Sequence, residues 1–148
     1  MVPGTSQDLI GRIHATLEEY VTSRGLGRLW RHMDVVLNRR EHLVVQPDII
    51  FIVDGRESIV SDRVWGPPDM VLEVGSPQRH SGKIEERVSW FSMYGVREYW
   101  LVQPENREVA ILELAHGGVK RRVLLDHRTP INTGLFPEFD QPLSELLR

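Results

Sequence analysis

Apolar residues recur at helical spacing in two parts of the chain. In residues 8–24 the apolar positions are Leu9, Ile10, Ile13, Leu17, Tyr20 and Val21. This spacing predicts an amphipathic helix, which Gly25 would end. The helical period returns in residues 81–94 and stops at Gly95. A last apolar stretch, residues 143–147, predicts a single helical turn.

Strand-like patterns occupy much of the remaining chain. They predict strands at residues 29–37, 43–55, 69–77, 98–104, 108–114 and 120–126. In residues 43–55 and 69–77 apolar side chains fill both alternating sets, which is typical of strands covered on both faces. Residues 54–68 are polar and contain Gly and Pro, so we expect a loop there. The turn His116-Gly117-Gly118 predicts a hairpin between the last two strands.

The predicted order is helix, three strands, helix, then further strands. This order favours one α/β or α+β domain in which a mixed central sheet is flanked by helices. The strands at residues 69–75 and 98–102 are joined through one helix. We therefore expect them to be parallel, with a right-handed crossover.

Composition narrows the functional classes. The chain has 148 residues, 41% of them hydrophobic and 26% charged, which is typical of one globular domain. There is no cysteine, so any metal would need carboxylate, histidine or carbonyl ligands. No apolar run approaches the roughly 20 residues of a membrane span, and we expect a soluble cytoplasmic protein. The net charge of -3 argues against a DNA-coating protein, but an acidic metal site in a nuclease is compatible with it.

Glu73 is the most anomalous residue, because the surrounding run Met70-Val71-Leu72-Glu73-Val74 is otherwise apolar. An ionised carboxylate in a buried strand is unfavourable unless something compensates it. A metal ion, a Lys or Arg partner, or a raised pKa would each do so. The structural alternative is a carboxylate at a strand end, or one that a structural arginine satisfies.

Asp48 is the second anomaly, since it follows Pro47 at the start of the apolar run 49–53. If the two central strands are neighbours, Asp48 and Glu73 could lie about 5 Å apart across the ladder. Two carboxylates so close repel each other, and a divalent metal is the usual remedy. Alternatively, Asp48 only ends a turn after Pro47.

Asp69 is a weaker candidate, and capping of a turn after Gly66-Pro67-Pro68 is the favoured interpretation for it.

A cluster of cations opens the second predicted helix: Arg79, His80, Lys83 and Arg87. Lys83 and Arg87 are spaced i, i+4 and therefore share one helix face. This helix begins just after the Glu73 strand, so a cation there could hold a phosphate or orient an attacking water. The alternative is a solvated helix face with surface salt bridges.

The histidines show no HxH or HExxH spacing, so a histidine-based zinc site is not expected.

Several of these strings together resemble the Uma-type restriction endonuclease family of the PD-(D/E)XK nuclease superfamily. They are Pro47-Asp48 before an apolar strand, Gly66-Pro67-Pro68-Asp69 leading to Glu73-Val74 and Ser76-Pro77, and the string GVREYWLV at residues 95–102. The similarity runs from about residue 5 to the C-terminus. It implies a single nuclease-like domain, residues 1–148, with a restriction-endonuclease-like αβββαβ core. It also implies a start later than that of many relatives.

The resemblance implies that Asp48 and Glu73 bind Mg²⁺, or Mn²⁺, with help from the Val74 carbonyl. Such a metal would activate water and stabilise the pentacovalent phosphate during phosphodiester hydrolysis. The superfamily lysine normally lies two residues after the glutamate, where this chain has Gly75. In the Uma-type pattern it has moved to the following helix, where this chain has Arg87, and the preceding aspartate position is Lys83.

Arginine stabilises negative charge but is a poor general base because it stays protonated. Lys83 could substitute from one helical turn away. The first hypothesis is therefore a Mg²⁺-dependent DNA endonuclease, expected to be a homodimer so that two sites address two strands. The second is a nuclease fold without catalysis that serves as a nucleic-acid-binding or protein-interaction module. No sequence feature favours a metal-dependent hydrolase of another substrate.

Overall fold

The computed structural model describes residues 6–75 and 83–148. The helices are α1 (Ser6–Ser23), α2 (Ile84–Tyr94) and α3 (Leu143–Leu146). The strands are β1 (Gly27–Arg31), β2 (Val35–Asn38), β3 (Leu43–Val45), β4 (Ile49–Val53), β5 (Val64–Trp65), β6 (Met70–Val74), β7 (Glu98–Gln103), β8 (Glu108–Ala115) and β9 (Gly118–Asp126). Short 3₁₀ helices occupy Glu57–Ile59 and Pro104–Asn106. The three predicted helical segments are thus confirmed. None of the described helices is long and apolar enough to cross a bilayer.

The main sheet has six strands in the order β1-β4-β6-β7-β8-β9. β6 and β7 are parallel, as the sequence predicts, while the other neighbouring pairs are antiparallel. Along the chain, α1, β1, β4, β6, α2 and β7 follow the predicted αβββαβ order. A second sheet of three short strands has the order β3-β2-β5. The mixed α/β fold class is therefore confirmed, with a small additional sheet that the sequence did not predict.

The prediction of one strand at residues 29–37 is wrong. The chain leaves the main sheet after β1 and enters the small sheet at β2. The break falls at His32, whose φ of 54° is in the left-handed region and cannot continue a strand. Apolar residues on both sides of the break made the two strands resemble one.

The prediction of one strand at residues 43–55 is also wrong. The strand divides into β3 and β4 around Gln46-Pro47-Asp48. Pro47 has no N–H to donate to a ladder, so pairing ends there and β4 begins afresh in the other sheet. The predicted loop at residues 54–68 contains a 3₁₀ turn and β5, which pairs in parallel with β2.

Each face of the main sheet has its own apolar core. On one face α1 and the C-terminal segment cover residues such as Phe51, Leu72 and Trp100. On the other face α2 and the small sheet cover residues such as Ile50 and Val71. Since strand side chains alternate between faces, Asp48 and Glu73 share the second face with Ile50 and Val71. This places both anomalous acids beneath α2.

Asp69, at the start of β6, is buried and tied to neighbouring segments. Its Oδ2 accepts the Val53 N–H at 2.9 Å and the Arg56 Nη1–H at 2.7 Å. Arg56 also donates to the Pro67 carbonyl at 2.9 Å. Arg97 lies 3.7 Å from the other carboxylate oxygen. Asp69 thus connects the loop before β6 to the end of β4, whereas the sequence interpretation has it cap a turn after Gly66-Pro67-Pro68.

Removing the Asp69 carboxylate is expected to destabilise the protein. Asp69→Ala leaves the Val53 N–H without its acceptor and should lower the free energy of unfolding by about 2–4 kcal/mol. Urea unfolding followed by circular dichroism measures the change. The matched control is Asp62→Ala, since Asp62 is exposed and should change stability by less than about 0.5 kcal/mol. Equal effects of the two substitutions would contradict the assignment.

Glu98 is a fourth buried acid, at the start of β7 on the α1 face. Its carboxylate accepts the Trp100 Nε1–H at 3.0 Å and the Leu135 N–H at 3.4 Å. Burial raises the pKa of Glu98 above its ordinary value of 4.5, and these hydrogen bonds offset only part of the increase. Glu98 therefore links β7 to the C-terminal segment, and its contribution to the free energy of unfolding depends on pH.

The Glu98 contribution to stability is expected to decline as the pH rises. Since the pKa is higher in the folded state, this contribution is complete below the unfolded value of 4.5 and is lost as pH rises through the folded value. Glu98→Gln cannot ionise, so its stability relative to the wild type should increase between pH 4 and pH 7. Urea midpoints across that range measure the difference. Parallel pH curves for the two proteins would refute the assignment.

Candidate active site

The register of β4 and β6 brings the two acids together. Ile49 pairs with Leu72, and one further step in the same antiparallel register sets Asp48 opposite Glu73. Asp48 Oδ2 accepts the Val74 N–H at 2.7 Å, which ties the start of β4 to the end of β6. Both acids are only 2% exposed. The expectation that the two central strands are neighbours is confirmed.

Glu73 is compensated by side chains that reach it from α2 and β7. Its Oε1 accepts the Arg87 Nε–H at 2.8 Å and the Tyr99 hydroxyl at 2.7 Å. Its Oε2 accepts the Arg87 Nη2–H. The Glu73 side chain is 3% exposed and that of Arg87 is 18% exposed. Of the three compensations that the sequence allowed, the structure contains the arginine partner, in a bidentate arrangement.

The charges around Glu73 reinforce this arrangement. Burial alone would lower the pKa of Arg87, but the hydrogen bonds and charge of Glu73 outweigh it and the pKa is raised. Asp48 contributes to the same increase, so its negative charge also acts on the guanidinium. Burial, followed by the Glu73 charge, raises the pKa of Tyr99 well above its ordinary value of 10.0. The phenol therefore remains a donor at every physiological pH.

Asp48 is also held through its main chain. Its carbonyl accepts the His32 N–H at 3.3 Å, which extends the β1–β4 pairing by one residue. The left-handed conformation of His32 accompanies a contact of 2.8 Å between its Nε2 and Oε1 of Gln7 on α1. His32 thus fixes the backbone at the start of β4 and directs its ring toward α1.

The predicted cations do not all lie at the carboxylates. Arg87 contacts Glu73 directly. Lys83 immediately precedes α2, its side chain is exposed, and within residues 6–75 and 83–148 it forms no ion pair with Asp48 or Glu73. Arg79 and His80 lie outside the described residues. The structure therefore brings together Asp48, Glu73 and Arg87.

Tyr99 is the functional-site residue that the sequence analysis missed. It lies in the apolar run Tyr99-Trp100-Leu101-Val102, two residues before the position paired with Glu73. A tyrosine in a strand covered on both faces needs a partner for its hydroxyl, and that requirement was an available signal. The identity of the partner depended on the parallel pairing of β6 with β7.

The donors at this site suit a hard divalent cation in their chemistry. Asp48 and Glu73 offer carboxylate oxygens, and Mg²⁺ is commonly held by one or two carboxylates with water in its remaining positions. Among the described residues no group of three or more His, Cys, Asp or Glu could hold a metal. The described part of the chain therefore offers two acidic ligands. Arg87 already neutralises one of them.

The chain matches one protein family model and is similar in structure to a solved protein. A family model described as "Uma2: Putative restriction endonuclease" matches residues 1–144. A crystal structure of "a putative nuclease belonging to DUF820" from Anabaena variabilis superposes with a TM-score of 0.79. The two sequences are 15% identical, and the match covers 99% of this chain and 83% of that one. This likeness establishes the fold. No curated protein matches the chain.

Loss of the Tyr99 hydroxyl is expected to lower the stability of the protein. Tyr99→Phe removes a hydrogen bond to a buried charged group and should lower the free energy of unfolding by about 1.5–3 kcal/mol. The matched control is Tyr94→Phe, which removes a neutral hydrogen bond from Asn38 and should cost about 0.5–1.5 kcal/mol. Urea unfolding followed by tryptophan fluorescence compares them. In a Glu73→Gln background the Tyr99→Phe cost should shrink; an unchanged cost would contradict the contact's role.

Proposed function

Because the chain belongs to the Uma2 family, described as "Putative restriction endonuclease", we propose that it is a metal-dependent endonuclease that hydrolyses DNA phosphodiester bonds. The observation that carries the proposal is the pair of buried acids, Asp48 and Glu73, set opposite each other on neighbouring strands beside a guanidinium. Two adjacent acids are costly in a structural core, and they are useful where a divalent cation binds.

Asp48, Glu73 and the Val74 carbonyl are the proposed ligands of a Mg²⁺ ion, for which Mn²⁺ could substitute. When bound, the metal would supply Lewis-acid charge at the phosphate and a water of lowered pKa. Tyr99 would keep the Glu73 carboxylate in place by donating a hydrogen bond to it, because its phenol stays protonated. The Val74 N–H would do the same for Asp48.

Arg87 on α2 and Lys83 just before it are assigned different parts in this proposal. Arg87 stays protonated, so it can neutralise negative charge on a phosphate but cannot accept a proton from water. Lys83 lies one helical turn away with an exposed side chain, whose compact ammonium carries three rotatable N–H donors. Lys83 is therefore the better candidate for orienting the attacking water. We extend the proposal to a homodimer, because two sites are needed to address two DNA strands.

One observation favours a second candidate function. Arg87 compensates Glu73 without any metal, so the same site would be stable in a protein that binds nucleic acid or a protein partner and has no catalytic activity. The two functions differ in metal binding at Asp48 and Glu73, and in whether loss of Glu73 abolishes cleavage while DNA binding is retained.

Metal-dependent nicking of supercoiled plasmid is the expected activity. With Mg²⁺ or Mn²⁺ the wild type should convert supercoiled DNA to open circles. Glu73→Ala should reduce the rate by at least about 100-fold, because a metal ligand is lost. Lys83→Ala should reduce the rate if Lys83 orients the water. Gel electrophoresis over time measures these rates, and a gel-shift assay measures DNA binding.

The matched control is Glu113→Ala, which removes another carboxylate with an arginine partner: Arg121 lies 3.3 Å from it. This variant should cleave at the wild-type rate. If the wild type cleaves no faster than Glu73→Ala in either metal, the endonuclease proposal fails for this chain. Retained DNA binding would then leave the binding-module function standing.

A further inference from the structure

Within residues 6–75 and 83–148, the hydrogen bonds to the Glu73 carboxylate all come from side chains. Oε1 accepts from Arg87 and Tyr99, and Oε2 accepts from Arg87. The bidentate contact covers the edge of the carboxylate with a full positive charge. A divalent cation that uses Glu73 as a ligand therefore has to share the carboxylate with this guanidinium or displace it.

Arg87 cannot yield the position by losing its proton. An arginine guanidinium stays protonated at every physiological pH, so it keeps its positive charge beside Glu73. A metal of charge +2 beside a fixed guanidinium is repelled at short range in a poorly hydrated site. The cost of metal binding therefore includes the cost of breaking the Arg87–Glu73 ion pair.

Of the two partners, Arg87 is the one able to move. Glu73 projects from a central strand, is 3% exposed, and its Oε1 also accepts the Tyr99 hydroxyl at 2.7 Å. The Arg87 side chain is 18% exposed and projects from α2, with its guanidinium carbon 5.5 Å from the Phe91 ring centroid. It is long and flexible enough to swing toward solvent while its stem stays packed.

We propose that Arg87 is a built-in competitor of the metal at Glu73, so that the ion pair sets the metal affinity of the site. This inference rests on the proposed function, because it takes Glu73 to be a metal ligand. The internal cation keeps the buried carboxylate neutralised when no metal is bound. It also makes the site a weak one whose occupancy requires release of Arg87. In this proposal Arg87 regulates the affinity of the site for metal, which is separate from neutralising charge on a phosphate.

The test measures Mn²⁺ binding to the full-length protein without DNA, from the electron paramagnetic resonance signal of free Mn²⁺. Arg87→Gln removes the charge and should lower the Kd by at least about tenfold. The matched control is Arg97→Gln, which removes an equal charge from an ion pair at the other end of β6. It should leave the Kd unchanged. Glu73→Gln should abolish the binding in both the wild-type and the Arg87→Gln backgrounds.

The outcomes separate this inference from the proposed function. Equal affinity of Arg87→Gln and wild type for a metal that still needs Glu73 overturns the competition and leaves the metal site standing. Weaker binding by Arg87→Gln also overturns it, because Arg87 would then assist the metal. Absence of Glu73-dependent binding in every variant overturns the metal site itself, and the inference with it.

A second measurement on the wild type does not depend on whether the variant folds. The Arg87 Nε–H resonance in a ¹⁵N spectrum reports its hydrogen bond to Glu73, at 2.8 Å. Titration with Mg²⁺ should move this resonance toward the position of solvent-exposed arginines, while the Arg56 resonance stays in place. An Arg87 resonance that does not move while Mg²⁺ binds would overturn the inference.

Discussion

The Glu73 carboxylate lies within the sheet, on a strand whose every residue is buried, and it carries a charge that must be neutralised. Much of the arrangement on the α2 face follows from this need. The Arg87 guanidinium reaches the Glu73 carboxylate from α2, and the Tyr99 hydroxyl reaches it from the neighbouring strand β7. Because each partner comes from a different element, the site requires β6, β7 and α2 to be packed together.

Asp48 adds a second acid to the same face, and local sequence explains how it is placed there. Pro47 ends the pairing of the small sheet, so β4 begins immediately after Asp48. The Val74 N–H and the His32 N–H then hold its carboxylate and its carbonyl. The small sheet covers the adjoining core, so the two acids lie at the margin of an apolar layer and beside Arg87.

The two ends of β6 each carry a buried acid with an arginine partner, and the difference between them is informative. Asp69 accepts a main-chain N–H from Val53, and its partner Arg56 also binds a main-chain carbonyl. Among the described residues, only side chains bind the Glu73 carboxylate. For Asp69, these partners tie the end of β4 to the loop before β6, and no role beyond this structural one is assigned to it. Side-chain partners can be exchanged for a ligand without unfolding the strand.

The sequence by itself determined the three helical segments, the mixed α/β class and the two anomalous acids. These follow from local properties: helical or strand periodicity, and a charge in an apolar run. It did not determine that residues 29–37 and 43–55 each divide between two sheets, because apolar patterns are alike on both sides of His32 and Pro47. Only the tertiary structure decided which cation meets Glu73, and that Tyr99 joins it. Strand register and helix packing depend on contacts between residues far apart in the chain, and local pattern carries no information about those distances.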